Sequence, residues 1–309
     1  MTAIDDAELV VVTGKGGTGR TTVATALGLA AAARGRRTIV CEVGGQSHVA
    51  ALLGSGVRTP RPGVETPVGD GLWTTTIDPD GALEEWLTHQ LPRRLVLPLA
   101  RSGVFSGFVA AAPGARELVT ITKAWELGQA QRWSRGAHGY DTVILDAPAS
   151  GHGLGLLRTP RTFADIARVG PIAGQARTVA EALADPARSR LVAVALPSEL
   201  AVSETLELEK RMAATMGRGL DAIVVNGLWP RRLSGPDVAA VAAVDGAADH
   251  AVRRAVTAAA GRVRTQQGQL ARLRRDAIAA VSTLPFVFGE RLGAEEIRAF
   301  SSRLAGAHE

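Results

Sequence analysis

Residues 14 to 22 read Gly-Lys-Gly-Gly-Thr-Gly-Arg-Thr-Thr, a spacing built to hold phosphate. The apolar run Leu9-Val10-Val11-Val12-Thr13 comes just before, and an apolar helical pattern follows at once. Strand, glycine loop and helix start form the context a phosphate-binding loop needs. Gly14, Gly16, Gly17 and Gly19 let backbone N–H groups turn toward one centre with no Cβ in the way. The helix start adds unpaired N–H groups from Thr18 to Thr22 and the positive end of its dipole. Thr21 offers a hydroxyl to magnesium. The string fits G-x-x-x-x-G-K-[ST] except at Arg20, where lysine normally reaches the β and γ phosphates. Arginine keeps the charge but is longer, planar and forked. Binding therefore fits this loop better than hydrolysis, which depends on where the charge is placed.

These residues need a sheet edge to stand on. Short runs rich in Val, Ile and Leu lie at 9–13, 37–43, 72–77, 142–146, 191–196 and 221–226. Such runs suit buried parallel strands. Helical patterns alternate with them, and the first, over about 20–34, stops at Gly35, a C-terminal cap. The expected fold is α/β: a doubly wound, mostly parallel sheet of the P-loop, Rossmann-like type, in one domain spanning 1–309. Ligands on such sheets sit at the carboxyl ends of the strands. Helical excursions are expected at about 80–140 and 162–190. An arginine-rich helical stretch runs from 231 to 280 (Arg253, Arg254, Arg262, Arg264, Arg272, Arg274, Arg275) and reads as a solvated face. No aromatics interleave there, which argues against single-stranded nucleic acid.

Composition closes other routes. Cys41 is the only cysteine, so neither an internal disulfide nor a cysteine-paired zinc site is open to the chain. The six histidines show no metal-ligand spacing. No apolar run reaches the roughly eighteen residues of a membrane span. The opening Met1-Thr2-Ala3-Ile4-Asp5-Asp6 is acidic and unlike a signal peptide, so a cytoplasmic location without stable membrane insertion is expected. The net charge of +5 is modest for 309 residues and gives no sign of a nucleic-acid partner.

Lys15, directly after Gly14, sets the class. The string Lys-Gly-Gly-x-Gly-x-Thr-Thr resembles the deviant Walker A loop shared by MinD, ParA, the nitrogenase iron protein and ArsA. The resemblance implies that this lysine reaches across a dimer to the other subunit's nucleotide, like an arginine finger supplied in trans. Residues 146–160, Asp-Ala-Pro-Ala-Ser-Gly-His-Gly-Leu-Gly-Leu-Leu-Arg-Thr-Pro, resemble switch II of the ArsA pump ATPases and of the ATPase that targets tail-anchored proteins. Asp146 ends an apolar strand, where a carboxylate can hold magnesium through water. Ile77-Asp78-Pro79-Asp80-Gly81-Ala82-Leu83-Glu84-Glu85 reads as a helix start, with Asp78 as cap. Leu196-Pro197-Ser198-Glu199 and Val202-Ser203-Glu204-Thr205 resemble another family stretch. Asn226 ends a strand that in the family reads adenine, and Leu284-Pro285-Phe286 resembles the loop over adenine's other face.

The resemblance, strongest to actinobacterial ArsA-like ATPases that occur as paired subunits, implies ATP and magnesium as cofactors. It implies a homo- or heterodimer, the latter favoured, with room for a protein client on the helical subdomain. Two positions depart from the pattern. Arg20 replaces the loop lysine, and Gly44 falls where the family's switch I aspartate orients water. Glu42 or Gln46 are substitutes by position, and a loop without a catalytic carboxylate is the simpler reading. Lone Cys41 does not suit arsenical sensing, and Met1, Met212 and Met216 are too few for a Met-rich client groove. The expected function is an ATPase subunit with Lys15 acting in trans and a weakened site of its own. The alternatives are a non-hydrolysing regulatory subunit or, last, a MinD-like membrane switch.

Overall fold

The computed structural model describes residues 6–44, 47–54, 61–90, 114–166, 169–243, 249–289 and 291–306. Eight strands form one sheet: β1 (Leu9–Gly14), β2 (Thr38–Val43), β3 (Thr66–Gly69), β4 (Leu72–Ile77), β5 (Thr142–Asp146), β6 (Ser189–Ala195), β7 (Ala222–Leu228) and β8 (Ala280–Pro285). Their order is β3-β4-β2-β5-β1-β6-β7-β8, parallel throughout except for β3 against β4. Between them lie α1 (Arg20–Ala33), α2 (His48–Leu52), α3 (Pro79–Gln90), α4 (Ala115–Leu127), α5 (Ser150–Ile166), α6 (Pro171–Ala184), α7 (Glu199–Met216), α8 (Gly235–Ala242), α9 (Asp249–Asp276) and α10 (Ala294–Ala305).

The doubly wound α/β architecture follows from side-chain alternation along buried strands. Leu9 and Val11 join Ile39, Cys41, Val143 and Leu145 in a core against α4, α5, α6, α7 and α9. Val10 and Val12 point the other way, with Val40, Ile144 and Val224, against α1 and α10. All six residues of β1 are buried. A strand covered on both faces must be apolar throughout, which is why the sequence shows it as an unbroken run.

Six of the strands fall on the apolar runs that predict them. β3 and β8 do not, for a common reason. Both are sheet edges. β3 carries Pro67 and Gly69, and most of β8 is only partly buried, with Ser282 and Thr283 within it. Edge strands need no continuous apolar run and tolerate proline. Helix ends follow local chemistry. Arg34 caps α1, and Gly35 follows at φ 81°, donating its N–H to Ala32. The Asp78 carboxylate accepts from the N–H groups of Asp80 and Gly81 and so caps α3.

In the stretch expected to be helical over 80–140, α3 and α4 lie within the described residues and 91–113 do not. Over 162–190 the helices are the end of α5 and all of α6, and over 231–280 they are α8 and α9. A buried ionic cluster clamps α3 to α4. Arg132 bonds Glu126 and Glu65, and Lys123 bonds Glu85 and Glu126. Each charge there has a partner, which removing a single member would undo. No described helix is long and apolar enough to cross a membrane.

Candidate functional site

Parallel register brings the chemistry together. β1 and β2 flank β5, with Val12 and Glu42 both opposite Asp146. Their carboxyl ends therefore share one edge, and the loop leaving β1 sits there, as the strand-end rule requires.

The loop is shaped for an anion. Lys15, Gly16 and Gly17 are exposed, whereas Thr18 and Thr22 are buried. A Cβ at Gly16 or Gly17 would meet nothing within 4 Å, so the space above the backbone is open. Gly14 and Gly19 are glycine for the opposite reason. A Cβ on Gly14 would lie 2.4 Å from the Val194 carbonyl, and one on Gly19 would lie 2.2 Å from Asn226 Nδ2. Gly19 precedes α1 at φ 87°, a left-handed conformation. No side chain caps α1, and no acidic residue lies in its first turn. Its first N–H groups are thus left for a ligand rather than a carboxylate. The Thr18 hydroxyl donates to the Lys15 carbonyl at 2.9 Å and stiffens the turn.

Asp146 faces this loop from β5. The Thr21 hydroxyl donates to Asp146 Oδ2 at 2.5 Å. Asp146 Oδ1 is buried and has no partner. Burial pushes the Asp146 carboxyl above its usual range. The Thr21 hydroxyl and the Arg20 charge oppose that rise, and Glu42 adds to it. A buried carboxylate oxygen with its lone pairs unshared, next to a threonine hydroxyl, is the hard-oxygen pair that magnesium takes alongside phosphate oxygens. The residues fit the ion.

Arg20 does not simply stand in for lysine. Its guanidinium donates to the Ala147 carbonyl, just past β5. The charge is tied to the segment that follows Asp146. A guanidinium held by a main-chain oxygen is a different device from a mobile ammonium.

The β2 end differs. Glu42 is only 3% exposed. Its oxygens accept from the N–H groups of His48 and Val49 at 2.7 and 3.2 Å and from the Ser47 hydroxyl at 3.3 Å. The carboxylate therefore caps α2, a structural role that accounts for its described contacts. Gly44 is exposed with φ 116°, where side chains other than glycine's are strained. Gln46 lies outside the described residues.

Asn226 and Pro285 sit on the other flank. Asn226 Nδ2 donates to the Thr18 carbonyl at 2.9 Å, so the carboxamide braces the loop from β7. Pro285 pairs in register with Leu228. Beyond it, Trp229, Phe286 and Phe288 form a ring cluster with centroids 5.0 to 5.5 Å apart. Arg232 lies over Phe288 and Arg262 over Trp229. Aromatics thus do meet arginines of the 231–280 stretch, through the fold rather than through sequence adjacency.

Lys15 turns back on its own chain. Its Nζ lies 2.6 Å from Glu204 Oε1 on α7. Sequence reasoning placed Glu204 only in a family-like stretch. A pairing across so many residues leaves no local signal.

Known proteins place the chain. Residues 7–170, more than half of it, match the profile of the ArsA family of anion-transporting ATPases. "ATPase BagA" of Mycobacterium tuberculosis is 30% identical over 240 residues, covering 76% of this chain and 69% of that one. An Escherichia coli "arsenical pump-driving ATPase" is 27% identical over 250 residues, 74% of this chain but 41% of its own length. A Halobacterium salinarum "putative arsenical pump-driving ATPase" is 25% identical over 238 residues, 74% of this chain and 36% of its own. The matched region holds the glycine loop, Lys15, Thr21 and Asp146 together, and with it the chain belongs to the ArsA family of ATP-binding ATPases.

Proposed function

We propose that the chain is the nucleotide-binding subunit of an ArsA-type dimer, with Lys15 serving the partner's ATP and its own hydrolytic site weakened. The observation that carries this is the Thr21–Asp146 pair beneath the open glycine loop, with Asp146 Oδ1 left free. The polyphosphate would lie against the N–H groups of residues 14–22 and the start of α1. Thr21 and Asp146 would hold magnesium, which when bound neutralises charge on the β and γ oxygens. Asn226 would present its remaining oxygen to adenine, with Pro285 over the ring.

Lys15 is half exposed at the rim, where a side chain can leave its own subunit. Two features support a slow site. Arg20 is held by the Ala147 carbonyl, and no described carboxylate stands free at the β2 end to orient water. A heterodimer then suits the chain better than a homodimer, since a partner with intact switch I would hydrolyse while receiving Lys15. Nucleotide state would move the helices around α3 to α6, where a protein client would bind. The glutamate used to cap α2 also favours a second reading, a regulatory subunit that binds nucleotide without hydrolysing it.

Phosphate release separates them. It is measured for the isolated chain, for the chain with an ArsA-like partner, and for that pair with Lys15→Ala here. The proposal expects slow release alone, faster release together, and loss of the gain in the variant. Rapid turnover by the isolated chain overturns the weakened site. A pair unaffected by Lys15→Ala overturns the lysine's role in trans.

A further inference from the structure

The Lys15–Glu204 pair has a geometry that bears on how Lys15 is delivered. Glu204 lies in the second turn of α7, a helix anchored by buried Ala201, Val202, Thr205 and Leu206. Lys15 lies on an exposed stretch of loop. One partner is therefore held on a packed helix, and the other carries its side chain at the solvent-facing rim. Glu204 Oε2 is buried and has no partner of its own, so within this chain the described role of the carboxylate is its contact with Lys15. The side chains are 50% and 39% exposed. An ion pair so open to water shifts an equilibrium by only about two- to fivefold. It can hold the lysine at rest and still release it.

We infer that Glu204 is a positioning residue for Lys15: it keeps the ammonium on its own subunit until a second, ATP-loaded subunit offers a phosphate. This rests on the proposed role of Lys15 in trans. A Nζ at 2.6 Å from Glu204 cannot also neutralise a phosphate on another subunit, so closure must break the pair. The carboxylate competes with the phosphate for one cation. Without nucleotide on the partner, the carboxylate wins and the dimer stays open. The price of closing is the lost pair, and phosphate contact offsets it.

Two measurements test this, both on the full chain. The first exploits composition: Lys15, Lys123 and Lys210 are the only lysines. A brief pulse of an amine-reactive label, read by peptide mass spectrometry, gives the labelling of Lys15 relative to exposed Lys210. Glu204→Gln should raise that ratio about two- to fivefold, and Glu204→Asp should raise it less, since the shorter carboxylate keeps its charge. An unchanged ratio in Glu204→Gln overturns the inference.

The second is sedimentation of the chain with an ArsA-like partner, a non-hydrolysable ATP analogue and magnesium, beside ATP turnover of the assembled pair. Glu204→Gln should lower the concentration for half-assembly about two- to fivefold and leave maximal turnover unchanged. In a Lys15→Ala background the substitution should do nothing. The same shift in that background would make Glu204 an ordinary interface residue and overturn the inference, as would a fall in maximal turnover. If Lys15→Ala leaves turnover of the pair intact, the trans role fails instead, and the labelling result then still decides whether Glu204 holds Lys15.

Discussion

Two regions meet along the carboxyl end of the sheet, the paired ends of β1 and β5 and the end of β2, and they differ. The β1 and β5 ends carry open glycines, an uncapped helix start, and Thr21 against Asp146 with one oxygen free. The β2 end, one strand away, carries its carboxylate as well, but Glu42 is buried and capping α2. The lesson concerns placement more than residue type. A carboxylate acts in chemistry only when lone pairs remain after folding has used what it needs. Asp146 Oδ1 remains without a partner, whereas both oxygens of Glu42 already accept from the start of α2.

The largest test of the contrast sits on the rim. Lys15→Ala should cut turnover of the assembled pair by about 10³-fold, the lower range for a finger supplied in trans. Quenched-flow phosphate release at saturating ATP checks it. A loss confined to KM would place Lys15 in binding rather than in the transition state.

Asp146→Asn comes next. It should weaken magnesium-dependent ATP binding by about 10–100-fold while leaving metal-free ATP binding nearly unchanged. Calorimetry with and without magnesium separates the two. The same change carries a pH signature. The folded carboxyl is raised above its unfolded value, chiefly by burial. The unfolded chain therefore loses this proton first, and the folded state is disfavoured as pH climbs from the unfolded value through the folded one. Thermal unfolding of the nucleotide-free chain should show the wild type losing stability relative to Asp146→Asn across that interval, with the difference constant above it. Coincident curves would mean that the aspartate feels no such burial.

Glu42→Gln probes the other strand end. The amide keeps the shape but weakens the cap on α2, so about 1–2 kcal/mol of stability should go, with ATP binding within a few-fold of wild type. Denaturant titration and calorimetry measure the two. A tenfold loss of turnover by a still-stable protein would return Glu42 to the chemistry. Gly44→Asp is the smallest expected change. The substitution places a side chain at φ 116° and should cost about 1 kcal/mol by denaturant titration without accelerating phosphate release.

The sequence shows the same division. The buried strands and the glycine loop were legible because their constraints are local: unbroken apolar runs, a spacing of glycines, a helix stopped by Gly35. Asp146 was legible because it ends such a run. What stayed hidden depends on contacts distant in sequence. Glu42 differs from a catalytic carboxylate only through N–H groups that α2 turns toward it. Glu204 meets Lys15, and Arg132 meets Glu65, only after the sheet is assembled. β3 and β8 escaped because edge strands relax the burial that makes strands visible.

Calorimetric titration of ATP and magnesium into the isolated chain, with phosphate release followed in the same samples, is the most direct measurement. One nucleotide bound per chain, with release far slower than in the pair, is the expected result. Absence of binding heat would contradict the phosphate loop, and fast release by the chain alone would contradict the weakened site.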